Sequence, residues 1–202
     1  WRALLWRALL WRALLAAVLA AAIRTPLASA QAFALEDLSL EELMDVEVTI
    51  VSRRPRSVAS SPAAVTVVTG EELVRAGVRT LPDALRLVPG LQVGQVDANK
   101  WVVTTRGFAG LFSNKLLVLV DGRSVYTPLF AGVFWESQSV LLEDVERIEV
   151  IRGPGGTLWG ANAVNGIVNV VTRRADASRG LYATVGGGAE RRFVAVRRGT
   201  AL

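Results

Sequence analysis

Val145-Glu-Arg-Ile-Glu-Val-Ile-Arg152 is followed by Gly-Pro-Gly-Gly-Thr-Leu-Trp-Gly-Ala-Asn-Ala-Val-Asn165 and then by Gly166-Ile-Val-Asn-Val-Val-Thr172. The first segment alternates: Val145, Arg147, Glu149 and Ile151 take one side, and Glu146, Ile148, Val150 and Arg152 the other. A period of two predicts a β-strand. The Gly-Pro-Gly-Gly run enforces a turn and leaves room only for a short helix before the next strand, Gly166–Arg173. Upstream, Leu116–Val120 is an unbroken apolar run, the pattern of a strand buried on both faces. Asp121-Gly122 marks a tight turn after it, with Arg123–Tyr126 returning. These elements predict an α+β domain, a small mixed β-sheet with short helices.

The same reading extends towards the N-terminus. Ala64–Thr69 is rich in Val and Thr and predicts an opening strand. Thr69-Gly70-Glu71-Glu72 has the spacing of a capping box, starting a helix that runs to about Ala76 and ends at Gly77. Thr80 caps a second helix with Pro82 in its first turn, where a missing N–H costs nothing. Leu81, Ala84, Leu85 and Val88 share one face of it, and Pro89-Gly90 stops it. Leu91–Val96 and Trp101–Arg106 read as strands joined by a turn at 97–100. Residues 127–138 form an aromatic-rich loop.

The flanks differ in texture. Residues 1–15 are three copies of Trp-Arg-Ala-Leu-Leu, a period that fits no single helix face. From Arg12 an apolar run, Ala13–Ile23, leads through Pro26 to Ala28-Ser29-Ala30, the layout of a secretory signal peptide over residues 1–30. Residues 31–62 read as a flexible arm. It is acidic at first, then β-branched at 47–53, then Pro- and Ser-rich. Residues 63–173 are the compact domain. Residues 174–202 alternate around Gly188-Ala189-Glu190 as a hairpin of the kind found at the start of a β-barrel. That stretch is too short for a closed barrel, which needs about 8 strands at least.

Composition narrows the chemistry. The 202 residues contain no cysteine and no histidine, which removes thiolate chemistry, the commonest general base and the commonest metal ligand. Of the +5 net charge, Arg2, Arg7, Arg12 and Arg24 account for four units. The nearly neutral remainder argues against nucleic-acid binding. Gly153-Pro154-Gly155-Gly156-Thr157 lacks the Gly-Lys-Ser/Thr ending of a phosphate loop and reads as a structural turn. The acid pairs Glu143/Glu146 and Glu146/Glu149 read as solvent- or barrel-facing charges rather than catalytic carboxylates. No enzyme activity, metal or cofactor is expected.

Taken together, these segments resemble the plug domain of TonB-dependent outer-membrane receptors. Val145–Thr172 is similar to the family's R-I-E-V-x-R-G-P, then an aromatic residue and Gly, then G-x-I-N. Trp101–Phe108 ends in R-G-F, Leu117–Arg123 has the apolar strand and D-G turn, and Ala63–Leu73 and Leu81–Gly90 match the opening strand and L-x-x-A-L-x-x-x-P-G. The matches run in family order over residues 47–173.

The resemblance implies a signal-directed protein of the Gram-negative outer membrane. It would serve as the plug or gate for energised uptake of a scarce nutrient such as an iron-siderophore complex. Its partners would be TonB, the receptor's own β-barrel and a small-molecule ligand. Glu47, Val48, Thr49, Ile50, Val51 and Ser52 occupy the place of the TonB box, which would act by strand addition. Arg106 and Arg152 correspond to arginines that lock the plug to barrel glutamates, a task suited to a planar guanidinium fork. Asn99, Trp101, Phe108, Phe112, Asn114, Tyr126, Phe134 and Trp135 lie in the loops and strand ends that would meet the ligand. The alternative reading is a freestanding exported plug-like binding module without transport activity.

Overall fold

A computed structural model describes residues 47–48, 50, 56–57, 63–130, 132–188 and 192–200. The expected signal peptide, the WRALL repeats and most of the arm lie outside these residues. The central sheet has five strands in the order β3-β8-β9-β6-β7. They are β3 (Val65–Thr69), β6 (Leu116–Val120), β7 (Arg123–Ser124), β8 (Val145–Arg152) and β9 (Gly166–Thr172). β6 and β9 run parallel, and the other neighbours are antiparallel, so the sheet is mixed as expected. β7 is shorter than the predicted return over 123–126. Tyr126 instead turns its hydroxyl onto the Leu116 carbonyl at 2.7 Å.

Both predicted helices form where their caps sit. Thr69 accepts from Glu72 N while Glu72 reaches back to Thr69 N at 2.7 Å, starting α1 (Gly70–Arg75). Thr80 Oγ1 accepts from Asp83 N at 3.2 Å at the start of α2 (Leu81–Leu85). The predicted apolar face of α2, Leu81, Ala84, Leu85 and Val88, is buried. A separate hairpin pairs β4 (Leu91–Gln95) with β5 (Trp101–Thr105). Its turn is held by the Asp97 carboxylate, which accepts from Asn99 N and Lys100 N. Those backbone bonds, with Lys100 beside them, keep the carboxyl below its usual range.

Alternation along the strands separates two apolar cores. One face of the sheet carries Leu116, Val118, Ile148, Val150, Val168 and Val170, packed with Leu73, Leu85, Trp101 and Trp135. The other carries Leu117, Leu119, Ile151 and Ile167, and it is covered by Val48, Ile50 and Ala163, with Trp159 alongside. A bulge between Val145 and Arg147 resets the alternation of β8, leaving Glu146 outside the regular ladder. Glu149 lies on the side of Ile151, which Val48 and Ile50 cover, so it does not face solvent as expected from the sequence. It is fully buried, and its Oε1 accepts from Arg147 Nε at 2.9 Å.

β1 (Glu47–Val48) pairs antiparallel with β2 (Arg56–Ser57). At the other end, β10 (Gly180–Gly187) and β11 (Arg192–Gly199) form an antiparallel hairpin. Leu181, Val185, Val194 and Val196 are exposed along one side of it. The other side turns Tyr182, Thr184, Phe193 and Arg197 inward. Tyr182 donates to Glu143 Oε1 at 2.9 Å. Arg197 Nε lies 2.9 Å from Asp144 Oδ1, an ion pair too poorly aligned to count as a hydrogen bond. Arg79 stacks its guanidinium over the Phe193 ring at 5.1 Å. An apolar outward band with polar inward contacts is the pattern of a strand pair in a barrel wall.

Candidate functional site

Three features converge at the end of the sheet where β8 finishes and β6 and β9 begin. The first is a strained corner. β5 runs into Arg106, Gly107 and Phe108, all three with left-handed backbone (φ 57°, 87° and 59°). Two of these are not glycine, so each costs on the order of 1–2 kcal/mol and needs outside support. Thr104 Oγ1 donates to the Gly107 carbonyl at 2.6 Å, and Asn165 Nδ2 donates to the same oxygen at 3.3 Å. Ser113 Oγ donates to the Phe108 carbonyl at 3.2 Å. The braced corner leaves the Phe108 ring 73% exposed.

The second feature is a pair of neighbouring guanidiniums. Arg106 NH2 donates to the Arg152 carbonyl at 2.9 Å, and Arg152 NH1 donates to the Pro89 carbonyl at 3.0 Å. Gly153 beside Arg106 has φ of 152°, a backbone conformation that glycine adopts without strain. Among the described residues neither arginine makes an ion pair, and Arg152 Nε is buried without a hydrogen-bond partner. A cation with an unsatisfied buried N–H is poised for a carboxylate.

The loop aromatics form the third feature. Phe112, Phe130 and Phe134 make an edge-to-face chain with centroids 5.1 and 4.9 Å apart. Phe112 is exposed, while Phe130 and Phe134 are half-buried, as is Asn114. Tyr126 lies close by in the chain, its phenol pushed up to about 12 by burial. Phe130 belongs to the aromatic loop expected at 127–138, but is not among the residues expected to meet the ligand.

Asn99, Trp101 and Trp135 stand apart from this group. They border a cleft of about 250 Å³ with Arg79, Glu136 and Gln138. Both tryptophans are only 7% exposed and belong to the core, with the Arg86 guanidinium 5.5 Å from the Trp101 ring. They are packing residues first. The eight loop positions thus divide between two places instead of forming one surface.

The segment at 47–52 is represented by Glu47, Val48 and Ile50. The free arm expected from the sequence is not what these residues form: Val48 and Ile50 are buried against the second sheet face. The physical reason is that this face is apolar and the β-branched side chains of the arm complete its core. Ile50 N donates to Glu149 Oε2 at 3.1 Å, and Trp159 Nε1 donates to the Ile50 carbonyl at 2.8 Å. Sequence reasoning missed the parts played by Glu149 and Trp159. The legible signal was Arg147 two residues before Glu149, a charge pair on one face of a strand. Thr49, Val51 and Ser52 lie outside the described residues. Among the described residues no cluster of acidic side chains suits a metal ion.

Comparison with known proteins identifies the family and the fold. Residues 57–167 match the family model of the TonB-dependent receptor plug domain. The chain is 32% identical over 171 residues to the vitamin B12 transporter BtuB of Vibrio vulnificus, covering 81% of this chain and 27% of that protein. It is 35% identical over 152 residues to the iron-regulated outer membrane virulence protein of Vibrio cholerae, covering 72% and 22%. The chain therefore spans about a quarter of the length of the curated relatives it matches. Among solved structures, the alcaligin outer-membrane receptor FauA of Bordetella pertussis superimposes with a TM-score of 0.52 at 23% identity, covering 64% of this chain and 21% of that one. The ferripyoverdine receptor of Pseudomonas aeruginosa gives 0.52 at 21% identity, covering 69% and 17%. These last two likenesses concern the fold. The chain belongs to the TonB-dependent receptor plug domain family, a domain of Gram-negative outer-membrane receptors and not of enzymes.

Proposed function

We propose that this chain is the plug of a receptor for energised uptake of a scarce nutrient such as an iron-siderophore complex, with residues 47–52 as the segment offered to TonB. The observation that carries the reading is the arm. Glu47–Val48 is extended and paired with Arg56–Ser57, the backbone shape that strand addition requires, with Ile50 in a turn just beyond it. The exposed Phe108 and Phe112 support a ligand-facing role for the loops at 106–114 and 127–134, because aromatic rings offer adaptable area to a polar organic ligand. Arg106 and Arg152 support a locking role against barrel glutamates, since one buried N–H is left without a partner. The relatives' names point to two cargo classes, vitamin B12 and iron chelates, and the locking and docking devices suit either one.

The test is uptake by cells carrying the full receptor. A Val48→Pro variant loses a backbone donor and cannot join a strand pair. Energised accumulation of radiolabelled cargo from a panel of ferric siderophores and vitamin B12 is expected to vanish, with surface binding of that cargo retained. Normal accumulation by this variant refutes the assignment of 47–52.

A further inference from the structure

We infer that Asp121-Gly122 is a site of spontaneous covalent modification, where the chain rearranges to isoaspartate through a succinimide, and that β9 guards it. The inference stands apart from the uptake reading above. Two pairs in the sequence are of the kind that closes such a ring, Asp121-Gly122 and Asn165-Gly166. Glycine has no Cβ to hinder its nitrogen, which leaves the preceding side-chain carbonyl carbon open to attack. The fold separates the two pairs. Asn165 is 5% exposed, Gly166 is buried in β9, and a Cβ on Gly166 would lie 2.5 Å from the Ile151 carbonyl oxygen. That backbone has no space to buckle into a ring. Asp121 and Gly122 are both exposed, in the turn between β6 and β7, with left-handed φ of 50° and 75°. Water reaches this pair.

The step needs no reagent but water. The Gly122 nitrogen attacks Cγ of the Asp121 carboxylic acid, an N–Cγ bond forms, and the acid's hydroxyl leaves with the nitrogen's proton as water. Another water then opens the five-membered ring at either carbonyl. Opening at Cγ restores aspartate. Opening at the main-chain carbon routes the backbone through Cβ and Cγ, giving isoaspartate of unchanged mass. The turn then gains a backbone atom, which breaks the Val120–Arg123 register. The folded turn holds the reacting atoms apart. Gly122 N donates to Oδ1 of the buried Asn169 at 3.2 Å, which occupies the nucleophile. Both carboxylate oxygens are held by Thr172, through its N at 2.8 Å and its Oγ1 at 2.9 Å. Asp121 N donates to the Val170 carbonyl at 2.8 Å and pins the residue itself. Every one of these partners lies on β9. Ring closure requires the carboxylate to leave Thr172 and the amide to leave Asn169 before the new bond forms.

The experiment incubates the full receptor in heavy-oxygen water, folded or in urea, and then digests it with trypsin in ordinary water. Cleavage after Lys115 and Arg123 releases residues 116–123, in which each passage through the ring leaves one heavy oxygen at position 121. Chromatography resolves the isoaspartyl form of the same peptide. Four backgrounds are compared: unaltered, Thr172→Val, Asn169→Ala and Thr69→Ala. Thr172→Val loses the Oγ1 bond and keeps the backbone one. Thr69→Ala removes the cap of α1, away from the turn, and so lowers global stability without touching the guard. The unfolded chain should label and isomerise at 121, and the folded receptor about a hundredfold more slowly, the scale of three net hydrogen bonds. Thr172→Val and Asn169→Ala should each speed the folded rate about fivefold, the scale of one such bond. Thr69→Ala should leave it unchanged. If the unfolded chain takes up no label at 121, the site is overturned. If the folded receptor labels as fast as the unfolded one, or Thr69→Ala speeds it as much as Thr172→Val, the guard is overturned. Should Asn169→Ala fail to fold, Thr172→Val against Thr69→Ala decides.

Discussion

Asp121 offers a sharp test of how the plug sheet is closed. The residue sits at the D-G turn with φ of 50°, and its carboxylate reaches across to the end of β9. Oδ1 accepts from Thr172 N at 2.8 Å and Oδ2 from Thr172 Oγ1 at 2.9 Å. Each net bond contributes about 1 kcal/mol at an exposed site. The left-handed backbone adds roughly 1 kcal/mol against alanine, because aspartate tolerates that region and alanine does not. Asp121→Ala should therefore destabilise by about 3 kcal/mol, while Asp121→Gly loses the bonds but not the backbone freedom, about 2 kcal/mol. Asp121→Asn keeps an oxygen for Thr172 N and an amide that donates to the hydroxyl, and should cost about 1 kcal/mol or less. Urea unfolding followed by far-UV circular dichroism gives the order Asn, Gly, Ala. A cycle with Thr172→Val should show a coupling of about 0.5–1 kcal/mol with Asp121→Ala. Equal losses for Gly and Ala refute the backbone share of this reasoning. A loss for Asn as large as that for Ala refutes the bond to Thr172.

Two further predictions follow from local geometry. Gly70→Ala looks favourable from helix propensity by about 1 kcal/mol, yet its Cβ would fall 2.3 Å from the Val145 carbonyl oxygen; it should instead destabilise by about 1–3 kcal/mol, and by more than Gly77→Ala, where φ is 64° but the space is open, as urea midpoints would show. Burial pushes Tyr126 from its ordinary value near 10 to about 12, so the folded state holds this proton more tightly than the unfolded chain. Its contribution is complete below pH 10 and fades as pH rises through about 12; Tyr126→Phe should flatten that part of the stability–pH curve, and an unchanged slope would count against it.

Much of the domain was legible in the chain because it rests on local rules. The capping box at Thr69–Glu72, the Thr80 cap with Pro82, and the apolar run at Leu116–Val120 each act within a few residues, and each appears where its pattern placed it. The family pattern also located the R-G corners that carry Arg106 and Arg152. What no local rule contains is which strand lies beside which, and so which side chains meet. A period of two puts Glu149 on the side of Ile151, but only the packing of Val48 and Ile50 onto that face decides that Glu149 is buried. The same holds for Asp121, legible as a turn residue but bonded to Thr172 only because β6 and β9 run parallel and in register.

The strand-deciding segment from Val145 to Thr172 shows the division within one stretch. Alternation, glycine and proline determined that it is strand, turn, short helix and strand, since these depend on backbone sterics and side-chain period. The tertiary structure decided that Glu149 and Trp159, ten residues apart within it, converge on Ile50 a hundred residues earlier. Long-range contacts of that kind are set by how the sheet is assembled and by which apolar face remains to be covered, and neither is written in any one segment.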